Sequence, residues 1–327
     1  MPRVLIMPAP LRHRPGRYRE ILANAGFESI DPPGYHRLHE SDLVEAVREA
    51  DAILAGGDPV TARIIAAGTR LRAIARAGVG SESVDLAAAT ARSIAVASTP
   101  GANHEAVAEH ALALLLSLTR NIIGNDRMVR AGGWERRPVR PLRGTTLGVI
   151  GLGRIGQAVA RRGRALGMTV LAHDRQPRHE FVAAHGVTAV SFDEVLAGSD
   201  VVSINLPLNR ETFGLFDRRT FERMRRGAIL INTARGALVN EVDLFDALAS
   251  GHLAGAGLDV LVKEPPDRDN PLLTLPNVVY SPHIAGVDTT ALDDMAEHAA
   301  HVMIDLYQGR WPEGYVVNDE LRARWRW

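Results

Sequence analysis

Gly151-Leu152-Gly153-Arg154-Ile155-Gly156 follows the apolar run Leu147-Gly148-Val149-Ile150 and opens Ile155–Leu166, a segment with the pattern of a helix. A bare G-x-G-x-x-G is common, but a strand before it and a helix after it make it specific. Gly151 permits the tight turn, Gly153 lets a pyrophosphate approach the backbone, and Gly156 lets helix and strand pack closely. The helix N-terminus turns unpaired N–H groups and the positive end of its dipole toward phosphates. Asp174 ends the next strand about 20 residues on, where a carboxylate accepts from ribose hydroxyls. Its charge repels a 2′-phosphate, so NAD is the expected cofactor. Arg175 and Arg178 follow it and keep NADP possible.

On both sides of this turn, short apolar runs alternate with amphipathic segments, the pattern of βα units around parallel sheets. Val4–Met7, Ala52–Leu54, Leu71–Ala75 and Ile94–Val96 read as strands, with helices near Leu43–Arg48, Ala62–Ala66 and Leu86–Arg92. Ser98-Thr99-Pro100-Gly101-Ala102-Asn103 reads as a boundary, and a long Ala/Leu helix runs from it to about Arg120. Later strands are expected at Thr169–Ala172, Asp200–Leu206, Ala228–Asn232, Ala256–Val260 and Val278–Ser281. Asn240 can cap a helix, with Asp243 three residues on to answer it. A last helix spans about Thr290 to Tyr307, with Gly309 placed to end it, and Tyr315–Asn318 can return as a strand.

The 327 residues suit two domains of ordinary size. Basic and acidic residues balance at 38 each, so no field of one sign draws the chain to nucleic acid or an anionic membrane. The absence of cysteine excludes disulfides and thiolate chemistry and fits a reducing cytoplasm. No N-terminal signal peptide is expected, and the apolar stretch Ala111–Leu118 is too short to cross a bilayer. The Arg136–Arg143 run reads as a solvated loop, and Trp134, Trp311, Trp325 and Trp327 as packing residues. No metal site is expected: His298 and His301 lack a third ligand placed beside them and read as ordinary surface groups.

Three downstream clusters carry chemistry. Arg235 follows Ile229–Ala234 and so sits at the carboxyl end of a strand, where open α/β sheets bind ligands. Its guanidinium can hold a carboxylate bidentately and polarise the carbonyl beside it. His283 ends another strand. Glu264 gives that imidazole an acidic partner, which favours the imidazolium and holds the ring in one orientation. A cation for the carboxylate, an acid/base for the oxygen and a partner for the base are what hydride transfer to a 2-oxo acid needs. Asp259 can hydrogen-bond the carboxamide side of the cofactor or cap a loop. His104 and His110 read as satisfied helix residues.

These segments resemble the D-isomer-specific 2-hydroxyacid dehydrogenases, the family of phosphoglycerate, glycerate, glyoxylate/hydroxypyruvate and formate dehydrogenases. The likeness runs from Arg76-Ala77-Gly78-Val79-Gly80 through Thr99–Asn103, Gly151–Gly156, Asn205-Leu206-Pro207-Leu208, Asn232–Gly236 and Gly257–Pro265 to His283-Ile284-Ala285-Gly286. The resemblance implies Arg235 for the substrate carboxylate and Glu264 with His283 as the acid/base pair. It implies cofactor contacts from Arg154, Ile155, Asp174, Pro207, Thr233, Ala234, Arg235, Asp259, His283 and Gly286, beside the three glycines. Arg76 and the backbone of Val79 and Gly80 would bind substrate.

The resemblance also implies two flavodoxin/Rossmann-like α/β domains with parallel sheets and a cleft between them. A discontinuous substrate-binding domain would hold residues 1–100 and 288–327, and an NAD(P)-binding domain residues 101–287. A homodimer through the nucleotide domain is implied too. Ala55-Gly56-Gly57 offers no arginine where some phosphoglycerate enzymes place one, which favours a glyoxylate- or hydroxypyruvate-type substrate. The chain ends soon after the core, so the regulatory domain of longer phosphoglycerate dehydrogenases is not expected. The alternatives are D-3-phosphoglycerate dehydrogenase and a non-catalytic, dinucleotide-sensing binding protein of the same fold. A methyltransferase with a glycine-rich loop leaves the Arg/Glu/His set unexplained.

Overall fold

The structure, a computed structural model, describes residues 1–33 and 38–327, which form two compact units. The first contains Met1–Asn103 and Asp288–Trp327, the second His104–Val287. The first begins with β1 (Arg3–Ile6), α1 (Arg17–Asn24), β2 (Glu28–Ile30), α2 (Glu40–Ala46) and β3 (Ala52–Ala55). It continues through α3 (Ala62–Ala67), β4 (Ala73–Arg76), α4 (Leu86–Ala91) and β5 (Ala95–Ala97). The second opens with α5 (His104–Thr119), α6 (Ile122–Arg130), β6 (Thr146–Ile150), α7 (Arg154–Ala165) and β7 (Thr169–His173). Then come α8 (His179–His185), β8 (Val187–Ala189), α9 (Phe192–Gly198), β9 (Val201–Ile204), α10 (Arg218–Arg223) and β10 (Ala228–Asn232). It closes with α11 (Glu241–Ala249), β11 (Leu253–Leu258) and β12 (Val278–Tyr280), and α12 (Thr289–Tyr307) rejoins the first unit.

Every strand pair is parallel. The first sheet runs β2-β1-β3-β4-β5 and the second β12-β11-β10-β9-β6-β7-β8. In the second sheet the chain winds outward from β6 to β8, then starts again on the other side of β6 with β9. That reversal opens a crevice at the carboxyl ends of β6 and β9, the place where such sheets bind ligands. β9 and β10 are buried along their whole length, as strands covered on both faces must be. α5 supplies part of that cover by packing Leu112, Leu114 and Leu115 into the core with Val149 and Ile231.

In the first unit, α12 lays Ala296, Ala299, Val302, Met303 and Leu306 against a core that includes Val4, Ile6, Leu54 and Ala75. Gly309, at φ +76°, follows the helix end. The tail returns as a single antiparallel bridge, Val316 to Ala97, and not as a strand. Asn318 fastens it by accepting from Val96 N at 2.8 Å and donating to Ile94 O at 2.9 Å.

Four local expectations need correction. Asn240 caps α11 through Val242 N and Asp243 N, but the Asp243 carboxylate accepts from Arg218 N instead of answering the cap. The 136–143 segment is anchored, because Arg140 donates to Asp200 Oδ1 and Gly227 O at 2.8 Å each and Leu142 is buried. Trp134 is exposed at 78%, whereas Trp325 packs in the core. His298 is half-buried and packs its ring against Tyr315. Among the described residues no single helix is long and apolar enough to cross a membrane.

The glycine turn makes a sharp demand at one position and none at another. A Cβ on Gly156 would lie 1.9 Å from Gly151 O, a backbone atom that cannot swing aside. A Cβ on Gly153 would meet nothing within 4 Å. Gly156→Ala should therefore destabilise the protein by about 1–3 kcal/mol, the usual cost of overpacking. Gly153→Ala should leave the melting temperature unchanged. Thermal unfolding of both variants measures the difference.

Candidate active site

Each sequence-predicted residue of the second unit lies just past the carboxyl end of a strand. Gly151–Gly156 follow β6, Asp174 follows β7, Pro207 follows β9, Thr233–Arg235 follow β10, Asp259 follows β11 and His283–Gly286 follow β12. Gly151 sits at φ +91°. Gly153 is the extended N-cap of α7, and Arg154 beside it is exposed. Ile155 is half-buried against the core.

Asp174 ties this corner together. Its Oδ2 accepts from Leu152 N at 2.6 Å and its Oδ1 from Gln176 N at 2.8 Å. Arg175 forms an ion pair with Glu211. Thr233 Oγ1 and Asn205 Oδ1, on the loops after β10 and β9, are buried without a hydrogen-bond partner among the described residues. The open flank of Gly153, the free N–H groups that begin α7, the Asp174 carboxylate and these two orphaned oxygens fit a dinucleotide across the carboxyl edge of the sheet.

The Arg235 turn is built by a residue that the sequence reading passed over. Asn232, which is 1% exposed, accepts from Ala234 N at 3.0 Å and donates to Arg235 O at 2.9 Å. An asparagine bonded to the backbone two and three residues on is a turn signal that Asn232-Thr233-Ala234-Arg235-Gly236 already carries. Gly236 follows because a Cβ there would stand 2.0 Å from Leu261 C. That closeness brings the Arg235 loop against the loop that carries Glu264. Glu241, also passed over, pins the Glu264 loop by accepting from Val262 N at 2.7 Å and Asn270 Nδ2 at 2.9 Å.

Glu264 and His283 meet directly. His283 Nδ1 lies 2.6 Å from Glu264 Oε2, and Leu261 N donates to Glu264 Oε1 at 3.0 Å. Burial raises the Glu264 carboxyl, but the bonds from His283 and Leu261 and the charges of His283 and Arg235 outweigh it. The carboxyl is left below its ordinary value. Arg235, Glu264 and His283 thus share one electrostatic neighbourhood. Tyr280 is no competing acid, since burial, then the Glu241 charge, pushes its pKa up to about 12.

His283 adopts φ +53°, a left-handed conformation unusual for a residue with a Cβ. Asp259, 2% exposed, holds it there. The Asp259 carbonyl accepts from His283 N at 2.8 Å, its Oδ1 from Ile284 N at 2.9 Å and its Oδ2 from Ala285 N at 2.9 Å. Three successive amides converge on one residue. Of the two roles weighed for Asp259, the structure displays the loop cap.

The remaining predicted residues belong to the first unit. Arg76 ends β4, and its Nε donates to Gly56 O at 3.1 Å and to Ser83 Oγ at 3.2 Å. Val79 is exposed and Gly80 half-buried, in a turn that Thr99 brackets by accepting from Gly78 N and donating to Gly78 O, both at 2.9 Å.

Residues 112–285 match the family described as D-isomer specific 2-hydroxyacid dehydrogenase, NAD binding domain. The chain is 43% identical to a D-3-phosphoglycerate dehydrogenase of Archaeoglobus fulgidus over 83% of its own length and 52% of the relative's. It is 39% identical to a glyoxylate reductase of Korarchaeum cryptofilum over 86% of its length and 87% of the relative's. It therefore spans about half the length of the phosphoglycerate dehydrogenase. Among solved structures, an NAD-dependent formate dehydrogenase of Staphylococcus aureus in complex with NAD superposes with a TM-score of 0.82 at 30% identity, covering 97% of this chain and 99% of that one.

The lowered Glu264 carboxyl has a consequence for stability. A carboxyl whose folded pKa is depressed adds stability that is present above its unfolded pKa and lost as the pH falls through the folded one. Urea unfolding of Glu264→Gln against the parent should give a difference near neutrality that disappears in acid below the ordinary glutamate range. A difference that persists unchanged in acid assigns the effect to packing.

Proposed function

The chain belongs to the D-isomer specific 2-hydroxyacid dehydrogenase family, whose NAD-binding domain it carries, and on that premise we propose a cytoplasmic, NAD-dependent reductase of a small 2-oxo acid of the glyoxylate or hydroxypyruvate type. The observation that carries this reading is the contact of 2.6 Å between His283 Nδ1 and Glu264 Oε2, on a carboxylate that also feels the charge of Arg235.

NAD in its reduced form supplies the hydride. Everything else falls to side chains of this protein. A carboxylate only accepts, so the contact with Glu264 keeps a proton on His283 Nδ1 and leaves Nε2 to exchange a proton with substrate. In reduction, Nε2–H of the imidazolium gives its proton to the carbonyl oxygen as the hydride reaches the carbon. In oxidation, neutral His283 takes that proton back. Glu264 stabilises the charged ring before transfer. Arg235 binds the substrate carboxylate bidentately and draws electron density from the adjacent carbonyl.

Two features favour an unphosphorylated acid and NAD. Ala55-Gly56-Gly57 supplies no cation for a phosphate, and the Nε of Arg76 is already committed to Gly56 O and Ser83 Oγ. Near the ribose site Asp174 brings negative charge, while Glu211 engages Arg175.

Loss of reduced-nicotinamide absorbance against glyoxylate, hydroxypyruvate, pyruvate and phosphohydroxypyruvate, with NADH and NADPH in parallel, tests the substrate class. Turnover of the first two with NADH is expected. His283→Ala and Arg235→Ala should each lower kcat by about 10²–10⁴-fold while NADH still binds, as seen by nucleotide fluorescence. Near-normal turnover in either variant removes that residue from the mechanism.

The enzyme acts as a homodimer joined through its second unit. Ile122, Ile123 and Val129 of α6, with Trp134 and Val139 beyond it, are exposed. Exposed large apolar side chains gathered in one stretch of chain favour an interaction site there. Light scattering should give twice the chain mass for the parent and the single-chain mass for Ile123→Glu combined with Trp134→Glu.

A further inference from the structure

The imidazole of His283 depends on Asp259, and Asp259 is itself held from behind. Ser281 Oγ donates to Asp259 Oδ1 at 2.6 Å, and His110 Nε2 lies 2.7 Å from Ser281 Oγ. His110 belongs to α5, 171 residues before Ser281 in the chain. Its Nε2 is also 3.6 Å from Asp259 Oδ1, within ion-pair reach when the ring is charged. We propose that His110 and Ser281 are positioning residues for His283, acting through Asp259.

The directions of the bonds follow from proton counting. A hydroxyl has one proton, and Ser281 gives its proton to a carboxylate, which only accepts. The Ser281 oxygen must therefore accept from His110, so His110 carries a proton on Nε2. The chain runs His110 to Ser281 to Asp259, and Asp259 in turn accepts the amides of Ile284 and Ala285. Each link fixes the next. Ser281 sets the rotation of the Asp259 carboxylate, and the carboxylate sets the two amides that keep the backbone left-handed at His283.

The anchor is rigid at both ends. α5 is packed against the sheet by Leu112, Leu114 and Leu115, while Ser281 N donates to Leu258 O at 3.0 Å. Removing a middle link lets the carboxylate turn and the imidazole drift. Misplacement of a proton donor by a fraction of its reach costs rate without weakening cofactor binding.

This inference rests on His283 as the proton donor, so His283→Ala belongs in the same experiment. With the best substrate of the panel, His110→Phe and Ser281→Ala should each lower kcat about tenfold, the scale of one charge-assisted hydrogen bond. NADH affinity should stay within about twofold, since neither side chain is assigned a contact to the nucleotide. The primary deuterium isotope effect on kcat with NADH deuterated at the transferred position should rise, because the chemical step becomes more limiting. His110→Gln, which keeps a donor near Nε2, should restore most of the rate. A purely structural role would lower the melting temperature and the active fraction but leave the isotope effect unchanged.

A second readout needs no turnover. Long-range ¹⁵N–¹H correlation of the histidines in the cofactor-free protein should show His110 protonated at Nε2, and the His283 resonances should move in Ser281→Ala. The inference is overturned if His110 is neutral with its proton on Nδ1. It is also overturned if both variants keep kcat within twofold with an unaltered isotope effect. If those two are normal while His283→Ala is inactive, the positioning role alone falls. Near-normal turnover in His283→Ala removes the reading of His283, and the inference with it.

Discussion

A single buried carboxylate, Asp259, determines where the imidazole of His283 can stand. Three consecutive N–H groups, from His283 to Ala285, point at the carbonyl and carboxylate of that one residue. An alanine or leucine at position 259 would keep the carbonyl for His283 N but take the carboxylate from the amides of Ile284 and Ala285, at a cost of about 1–3 kcal/mol for each group left unpaired. The left-handed backbone at His283 persists because the surrounding bonds over-determine it. Glu264 then needs only to meet a ring whose origin is already set.

The same economy governs the other side of the site. Asn232 shapes the Arg235 turn with its amide, and Gly236 lets that turn lie against the backbone of Leu261. Cation, carboxylate and imidazole come from three separate strand ends. They converge because β10, β11 and β12 are adjacent and parallel, so their carboxyl termini open on one edge. The glycine turn after β6 opens on that edge as well. Parallel winding is thus the condition under which residues far apart in the chain can act on one ligand.

Much of this was legible in the chain. The run before Gly151 and the helix after it, the periodic face of α12, and the apolar strands β6, β7 and β9 to β12 stand out, because a buried strand or a helix face must repeat its apolar residues; β8, with two of its three residues exposed, does not. Less was legible where local pattern is weak. α1 is largely polar, β2 is three residues long and half exposed, and α8 buries none of its side chains, so no periodicity distinguishes them from loops. Arg140 looked solvated because its neighbours are arginines and prolines, and only the nearness of Asp200 in the fold reveals an anchor. Asp243 obeys the spacing of a capping box, yet Arg218 N offers it a competing donor from another element.

By itself the sequence determined the parallel α/β class, the glycine turn with its acidic partner, and the identity of the arginine, glutamate and histidine, because each follows from chemistry or periodicity within a few residues. Only the tertiary structure decided that Glu264 and His283 touch, that Glu211 engages Arg175, and that His110 reaches Ser281. These are pairings across 19, 36 and 171 positions of chain. No local rule sets such distances; they come from which strands lie side by side and how closely their glycines let the loops approach.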